Sequence, residues 1–386
     1  MHPMFHDVII VGAGPAGSIC ARACAQEGLK TLLLDGAVFP RRKPCGGAVS
    51  QQALALLDSP LPQEIVEQEC FGVRVHHGQE TIEVRKARWI AVLVDRSRFD
   101  HYLALRAAEA GAVFRDGEPA IGVSVANQQA SVTTTAGTHS GRFIVGADGA
   151  NGMVRRSLLP PFGRDEVMAT LVGTAEGDPQ PGQVCPSDLL EMHFGIAPQG
   201  YGWVFRQRGR ASVGVMGLAA SFPHAKVCFT EYCRSLGVPV TGVTGHIIPL
   251  GGPRRRITTE RILLAGDAAG FADPFHGEGI AQAIRSGVLA ARAVIDAAKG
   301  RKDAFKRYEW ACDRLIGQEM RIAWTMARSL ERHPRLFVEI FFREATALDR
   351  YLDIAAGTSD YRRFRRWLLP RLPGHLIRMR APTVSK

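Results

Sequence analysis

Apolar residues fall into two kinds of run along this chain, and the switching between them outlines the architecture. Val8-Ile-Ile-Val11 is an unbroken branched run, as expected of a strand buried on both faces. A glycine turn follows, then a helical pattern over about 15–27 and a second apolar run from Thr31, giving a strand over 31–35. Residues 48–58 read as a short helix. Between about 70 and 94 the pattern alternates (Val73 and Val75, Ile82 and Val84, Ile90 and Val92), which predicts short strands of a second sheet. Asp95-Arg-Ser-Arg-Phe-Asp100 opens a helix through about Ala110, stopped by Gly111.

Strands are expected near 112–115, 119–126 and 129–135, and Arg142-Phe-Ile-Val-Gly-Ala-Asp-Gly149 returns to the buried type, ending in an acid and a glycine. From about 158 to 250, short alternating runs such as Ala211–Met216 predict an antiparallel sheet, interrupted by one helix near 224–236. Arg261-Ile-Leu-Leu-Ala-Gly-Asp267 is again a buried strand, and Gly279 begins a helix to about Ala298. The rest is helical, over about 303–331 and, after His333-Pro334, about 335–355 up to Gly357.

Composition narrows the class without choosing a function. With 386 residues, 46% apolar and 22% charged, the chain reads as a soluble globular protein of two or three domains. No apolar run reaches the length of about 18 residues needed for a membrane span, and the N-terminus lacks the pattern of a signal peptide. Cys20, Cys24, Cys45, Cys70, Cys185, Cys228, Cys233 and Cys312 show no C-x-x-C spacing. Such scattered thiols suit a reducing cytoplasm rather than a disulfide framework, and no metal site is expected. The formal charge of +11 is concentrated at the end: from Tyr361 to Lys386 there are seven Arg, one Lys and no acid. A near-neutral body argues against a nucleic-acid surface.

Three motifs carry the chemistry. Gly12, Gly14 and Gly17 form G-x-G-x-x-G between the first strand and the first helix, with Pro15 suited to the first helical turn. Gly12 permits the tight turn, Gly14 lets a diphosphate reach the backbone, and Gly17 lets helix and strand pack closely. The helix N-terminus then offers free N–H groups to the anion. Asp35 lies about 20 residues further on, where a carboxylate can accept ribose hydroxyls. Asp148-Gly149 at a second strand end can order the chain near the diphosphate, and Asp267 at a third can hold a ribityl hydroxyl. Asp273-Pro-Phe-His-Gly-Glu-Gly-Ile280 brings N–H groups and a helix N-terminus towards one point, suited to the flavin edge that gathers charge on reduction. In this order the three motifs predict bound FAD.

The expected fold is therefore α/β: a discontinuous Rossmann-like FAD-binding domain (1–72, 95–157 and 254–300), an inserted antiparallel β-sheet substrate domain (73–94 and 158–253), and a helical C-terminal region with a basic tail (301–386).

The pattern resembles the glutathione-reductase-like FAD superfamily in its aromatic-hydroxylase branch and, more narrowly, the geranylgeranyl reductase family. The carrying stretches are Phe39-Pro-Arg-Arg-Lys-Pro-Cys-Gly-Gly47, Asp95 to Asp100, Pro198-Gln-Gly-Tyr-Gly-Trp-Val-Phe205 and Gly266 to Ile280. The resemblance implies FAD contacts at Ala16, Asp35, Cys45, Gly46, Ala48, Arg98, Ala120, Asp267, Gly279 and Ile280. It also implies a prenyl-binding cavity lined by Tyr201, Trp203 and Phe205. Arg206 replaces the proline of the family's Tyr-x-Trp-x-Phe-Pro motif, and His276 stands where many members carry a small hydroxyl residue. Both departures bear on the substrate more than on the reaction type.

An isolated trisubstituted alkene is a poor hydride acceptor, so its reduction needs a proton together with hydride from a reduced flavin, in a dry aromatic site. Cys45 is a candidate proton donor or redox-sensitive thiol; a small residue fitting a tight loop accounts for it as well. His276 can protonate or polarise, or simply cap a turn, and Glu278 reads as an ordering group. No second dinucleotide fingerprint exists, so electrons are expected from transiently bound NAD(P)H or ferredoxin. The stretch Tyr361-Arg-Arg-Phe-Arg-Arg-Trp-Leu-Leu369 with Leu372, Leu376 and Ile377 suits either peripheral contact with anionic lipid on the inner membrane face or packing on the body. The alternative activity is a monooxygenase or halogenase on the same flavin scaffold.

Overall fold

The computed structural model describes residues 5–176 and 186–375, so the tail residues Leu376 and Ile377 lie outside the described residues. Strand β1 (Phe5–Val11), helix α1 (Pro15–Gln26) and β2 (Thr31–Leu34) open the chain. Next come β3 (Ala48–Ser50), α2 (Gln51–Leu54), β4 (Val66–Cys70), β5 (Gly72–His77), β6 (Glu80–Arg85) and β7 (Ala91–Val94). Then follow α3 (Arg96–Glu109), β8 (Val113–Arg115), β9 (Ala120–Ala126), β10 (Gln129–Thr134), β11 (Gly137–Gly146) and α4 (Met153–Leu158). The middle holds β12 (Val167–Glu176), β13 (Leu189–Phe194), β14 (Tyr201–Gln207), β15 (Arg210–Leu218), α5 (Ala225–Leu236) and β16 (Val240–Pro249). After β17 (Ile262–Leu264) the described chain is mainly helical: α6 (Ile280–Ala298), α7 (Ala304–Cys312), α8 (Gln318–Arg332), α9 (Pro334–Phe341), α10 (Ala345–Ala355) and α11 (Tyr361–Leu368).

These elements form two compact units. The first comprises Met1–Lys43, Arg96–Glu166 and Ile248–Met320; the second, Pro44–Asp95, Val167–Ile247 and Arg321–Lys386. Residues 44–72 thus group with the inserted sheet, and the helices beyond 320 join the same unit.

The first unit is built on a sheet of order β8-β2-β1-β11-β10-β9, with β17 also paired to β11. Its centre is parallel, with Ile9 opposite both Leu32 and Ile144, as the continuous apolar runs require. Val8, Ile9, Ile10, Leu32, Leu33 and Ile144 are wholly buried. Glycine makes the helix packing possible. A Cβ on Gly287 of α6 would lie 2.4 Å from the Ala16 carbonyl oxygen, so α6 and α1 meet backbone to backbone.

The second unit holds a seven-stranded sheet of order β16-β12-β15-β14-β13-β5-β6 and a three-stranded sheet β3-β7-β4. Several sequence expectations are corrected here. The helix over 48–58 shrinks to α2, because Ala48–Ser50 pairs antiparallel with β7 and Ser50 Oγ then accepts from Ala53 N at 3.2 Å to start a single turn. The strands between 70 and 94 divide between two sheets, β5 and β6 joining the large one while β7, buried along its whole length, pairs with β3 and β4. The large sheet is not purely antiparallel, as β5 and β13 run parallel. The helical run over 303–331 contains a π turn at Asp313–Gly317. The helix expected over 335–355 breaks after Phe341, where Glu344 is extended and its carboxylate lies 3.0 Å from the buried His375 imidazole.

Candidate active site

In the first unit, Gly12 has φ +102°, and a Cβ there would lie 2.2 Å from the Ala147 carbonyl oxygen. Only glycine satisfies both the left-handed turn and that contact. Gly14 begins α1 with no side chain capping the first turn, which leaves N–H groups for an anion. Asp35 ties this turn to the end of β2: its Oδ2 accepts from Ala13 N at 2.9 Å and its Oδ1 from Ala37 N at 3.0 Å. Each oxygen keeps a lone pair for a hydroxyl. Backbone bonds from Asp35 N to Arg115 O and from Glu118 N to Asp35 O bring the start of β9, and so Ala120, beside that turn.

Arg41, which sequence reasoning left unassigned, belongs to this cluster. Its guanidinium lies 3.5 Å from Asp35 Oδ2 and 3.1 Å from Asp100 Oδ2, with one nitrogen 3.7 Å from where a Gly14 Cβ would be. Asp100 is fully buried and also gripped by Arg96 through two bonds of 2.9 Å. A fixed cation beside the glycine turn suits a diphosphate. The signal was present in the Asp95 to Asp100 motif, whose buried acid needs cations. Arg98 is exposed on the first turn of α3.

Asp148 performs a different task. It is half-buried, its Oδ2 accepts from Val154 N at 2.6 Å to hold the start of α4, and its solvent-shielded Oδ1 has no hydrogen-bond partner among the described residues. Burial pushes its carboxyl up to about 6. Asp267 follows β17 in a short 3₁₀ turn, Gly266–Ala268. A Cβ on Gly279 would lie 3.2 Å from Asp267 Oδ1, so the carboxylate sits against the N-terminus of α6 and Ile280.

The intervening loop is internally braced. Asp273 Oδ1 accepts from Phe275 N and His276 N, His276 Nδ1 from Glu278 N at 3.1 Å, and Glu278 Oε1 from Ala281 N at 3.2 Å. Because Nδ1 accepts, the neutral His276 ring carries its proton on Nε2. Glu278 thereby ties the loop to the first turn of α6.

In the second unit the aromatic residues share one face of β14. Tyr201, Trp203 and Phe205 are 7%, 5% and 8% exposed, with neighbouring centroids 6.3 and 6.2 Å apart. The row continues into Phe194 and then Phe337 of α9, at 5.4 and 4.8 Å, two residues the sequence reading missed. The alternation of Met192 and Phe194 was the available signal. The loop carrying Cys45 lies on this row: a Cβ on Gly46 would meet Phe205 at 2.8 Å and Trp203 Nε1 at 3.3 Å. Ser212 links them, accepting from Trp203 Nε1 at 3.3 Å and donating to the Cys45 carbonyl at 3.4 Å. Gly47 N donates to Cys45 Sγ at 3.4 Å, and Ala48 begins β3.

The FAD binding domain family matches residues 6–209. A geranylgeranyl diphosphate reductase of Rhodobacter capsulatus is 31% identical over 78% of each chain. The chain belongs to the geranylgeranyl reductase family of FAD-dependent oxidoreductases. A digeranylgeranylglycerophospholipid reductase of Methanothrix thermoacetophila is 29% identical over 87% of this chain and 88% of its own. The crystal structure of a geranylgeranyl bacteriochlorophyll reductase-like protein from Thermoplasma acidophilum has a TM-score of 0.80 at 24% identity, covering 97% of this chain and 99% of its own. That likeness concerns the fold.

The geranylgeranyl reductase family thus supplies FAD as cofactor, and the first unit fits it. The glycine turn, the Asp35 carboxylate, Arg41 and Asp267 offer what a diphosphate and polyol need. The residue that departs from the family motif, Arg206, falls on the opposite face of β14 from the aromatic row, paired with Ala211. No described helix is long and apolar enough to cross a membrane.

Proposed function

We propose that this enzyme reduces isolated carbon–carbon double bonds of a prenyl chain, with the dinucleotide held by the first unit and the chain by residues of the second. The supporting observation is the Cys45–Gly47 loop packed on Phe205 and Trp203, in an aromatic row that continues through Tyr201 to Phe194, the apolar lining such a reaction needs. Bound FAD, once reduced by the electron donor, would supply hydride to one alkene carbon; the other carbon takes a proton from an acid. Cys45 Sγ and His276 Nε2 are the candidate donors. The aromatic faces of Trp203 and Tyr201 attract the positive charge that develops on the protonated alkene. Gly12, Gly14, Ala16, Gly17, Asp35, Arg41, Arg98, Ala120, Asp148, Asp267, Gly279 and Ile280 of the first unit are assigned to the cofactor, as are Cys45, Gly46 and Ala48 of the second. Electrons are assigned to transiently bound NAD(P)H or ferredoxin.

A cytoplasmic location with electrostatic contact to anionic lipid suits such a substrate. Tyr361, Phe364 and Leu368 of α11 are buried, while Arg362, Arg363, Arg365 and Arg366 are exposed. The arginine row, rather than an inserted apolar face, would meet the headgroups.

The test is incubation of reduced enzyme with geranylgeranyl lipids in the absence of oxygen and, in parallel, in air. Products heavier by two hydrogens per bond without oxygen support the reading; an unchanged substrate there, or a gain of one oxygen atom in air, overturns it.

A further inference from the structure

The back of the sheet that carries the aromatic row holds a cluster the proposed reaction does not use. His76 of β5 and His193 of β13 are directly opposite in the parallel pairing. Glu191, two residues before His193, projects from the same face. Its carboxylate Oε1 lies 3.1 Å from His76 Nε2 and 3.2 Å from His193 Nε2. All three ligand atoms lie within 4.8 Å of one another. The Glu191 side chain is only 6% exposed, whereas both imidazoles retain access to solvent, at 25% and 17%.

From these residues we infer a binding site for one divalent transition-metal ion of the zinc class, with His76 Nε2, His193 Nε2 and Glu191 as protein ligands. Four observations carry the assignment. In a tetrahedral zinc site, bonds of about 2.0–2.1 Å put neighbouring donor atoms about 3.3 Å apart, close to the two distances seen here. His76 Nδ1 is 2.9 Å from Thr81 Oγ1, a second hydrogen bond of the kind that fixes the tautomer and ring plane of a metal-bound histidine. His193 Nε2 is buried and makes no hydrogen bond among the described residues despite its proximity to Glu191. The rings of His76 and His193 stack at 4.5 Å and 21°, so both project from the same face of the sheet.

The fourth position has a neighbour suited to it. Tyr232 of α5 packs edge-on against His193, with centroids 5.4 Å apart, and its hydroxyl is buried with no hydrogen-bond partner among the described residues. Gly202 makes room for that ring, since a Cβ there would meet Tyr232 Cζ at 2.7 Å. The phenol or a water held by it completes the coordination. Two imidazoles and a carboxylate match zinc, and also nickel and iron(II), better than calcium or magnesium. The ion would fasten two segments more than a hundred residues apart in the chain, 72–77 and 189–194, at a parallel joint in the sheet.

Chelator-stripped, full-length protein titrated with zinc sulfate in a calorimeter tests the site. One equivalent should bind with a Kd of about 1 µM or tighter and raise the melting temperature. E191Q and H193Q should each weaken binding at least about tenfold, while H333Q, at an exposed histidine, should bind as the parent does. H76Q serves as the parallel variant on the partly exposed strand should H193Q fail to fold by circular dichroism. Cobalt(II) should give a spectrum without a thiolate charge-transfer band. Absence of a binding heat, affinity equal to the parent's in E191Q and H76Q, or a thiolate band would each overturn the assignment.

Discussion

Asp35 and Asp148 are both acids at strand ends, and their surroundings give them different work. Asp35 is met by two backbone N–H groups and Arg41, whereas Asp148 is sealed over the start of α4 with one oxygen unpaired. Burial raises its folded-state pKa from 3.8 to about 6, so the folded protein holds the proton more tightly than the unfolded chain does. Its contribution to stability is present below about pH 4 and is lost as pH rises through about 6. D148N keeps an acceptor for Val154 N and removes the titration. Melting temperatures of parent and D148N measured from pH 4 to 7 should therefore diverge, D148N gaining relative to the parent as pH rises. Parallel curves would contradict this. The sequence placed Asp148 at a strand end but could not show which way its carboxylate turns, because that depends on Gly152, where a Cβ would collide with it at 2.0 Å.

Among the elements, the continuous apolar runs were the most legible. Val8 to Val11, Thr31 to Leu34 and Ile262 to Leu264 became the parallel core, because strands buried on both faces have no polar alternative. The three-stranded sheet was not legible, since Ala48–Ser50 is too short to show a period and its partner β7 lies more than forty residues on. The aromatic positions of β14 were legible from their alternation, but what allows them to lie flat was not. A Cβ on Gly214 of β15 would lie 2.1 Å from Trp203 Cζ2. G214A should therefore displace the indole, lower stability by about 1–3 kcal/mol, and change the near-ultraviolet circular dichroism of tryptophan. An unaltered spectrum and melting point would show that Trp203 is not held as described. Cys20 and Cys24 of α1 are wholly buried.

At the scale of the molecule, motif order revealed a discontinuous nucleotide domain, while the grouping of residues 44–72 and of the last helices with the second sheet depends on contacts between distant segments. The basic end shows the same limit. Its charge was countable from the sequence, but only packing reveals that Tyr361 and Phe364 turn inwards and that Phe364 stacks on Phe341. Replacing Arg362, Arg363, Arg365 and Arg366 by Gln should leave the melting temperature near the parent value and abolish sedimentation with anionic vesicles. Retained sedimentation would remove the arginine row from membrane contact.

On the proposed reading, electrons stored on the bound flavin pass to an unactivated alkene. Enzyme reduced under argon and mixed rapidly with a geranylgeranyl lipid reports this directly through the return of the oxidised flavin spectrum. Reoxidation is predicted at a rate that rises with lipid concentration and vanishes with the fully saturated phytanyl analogue. A flavin that stays reduced until oxygen is admitted would contradict the account.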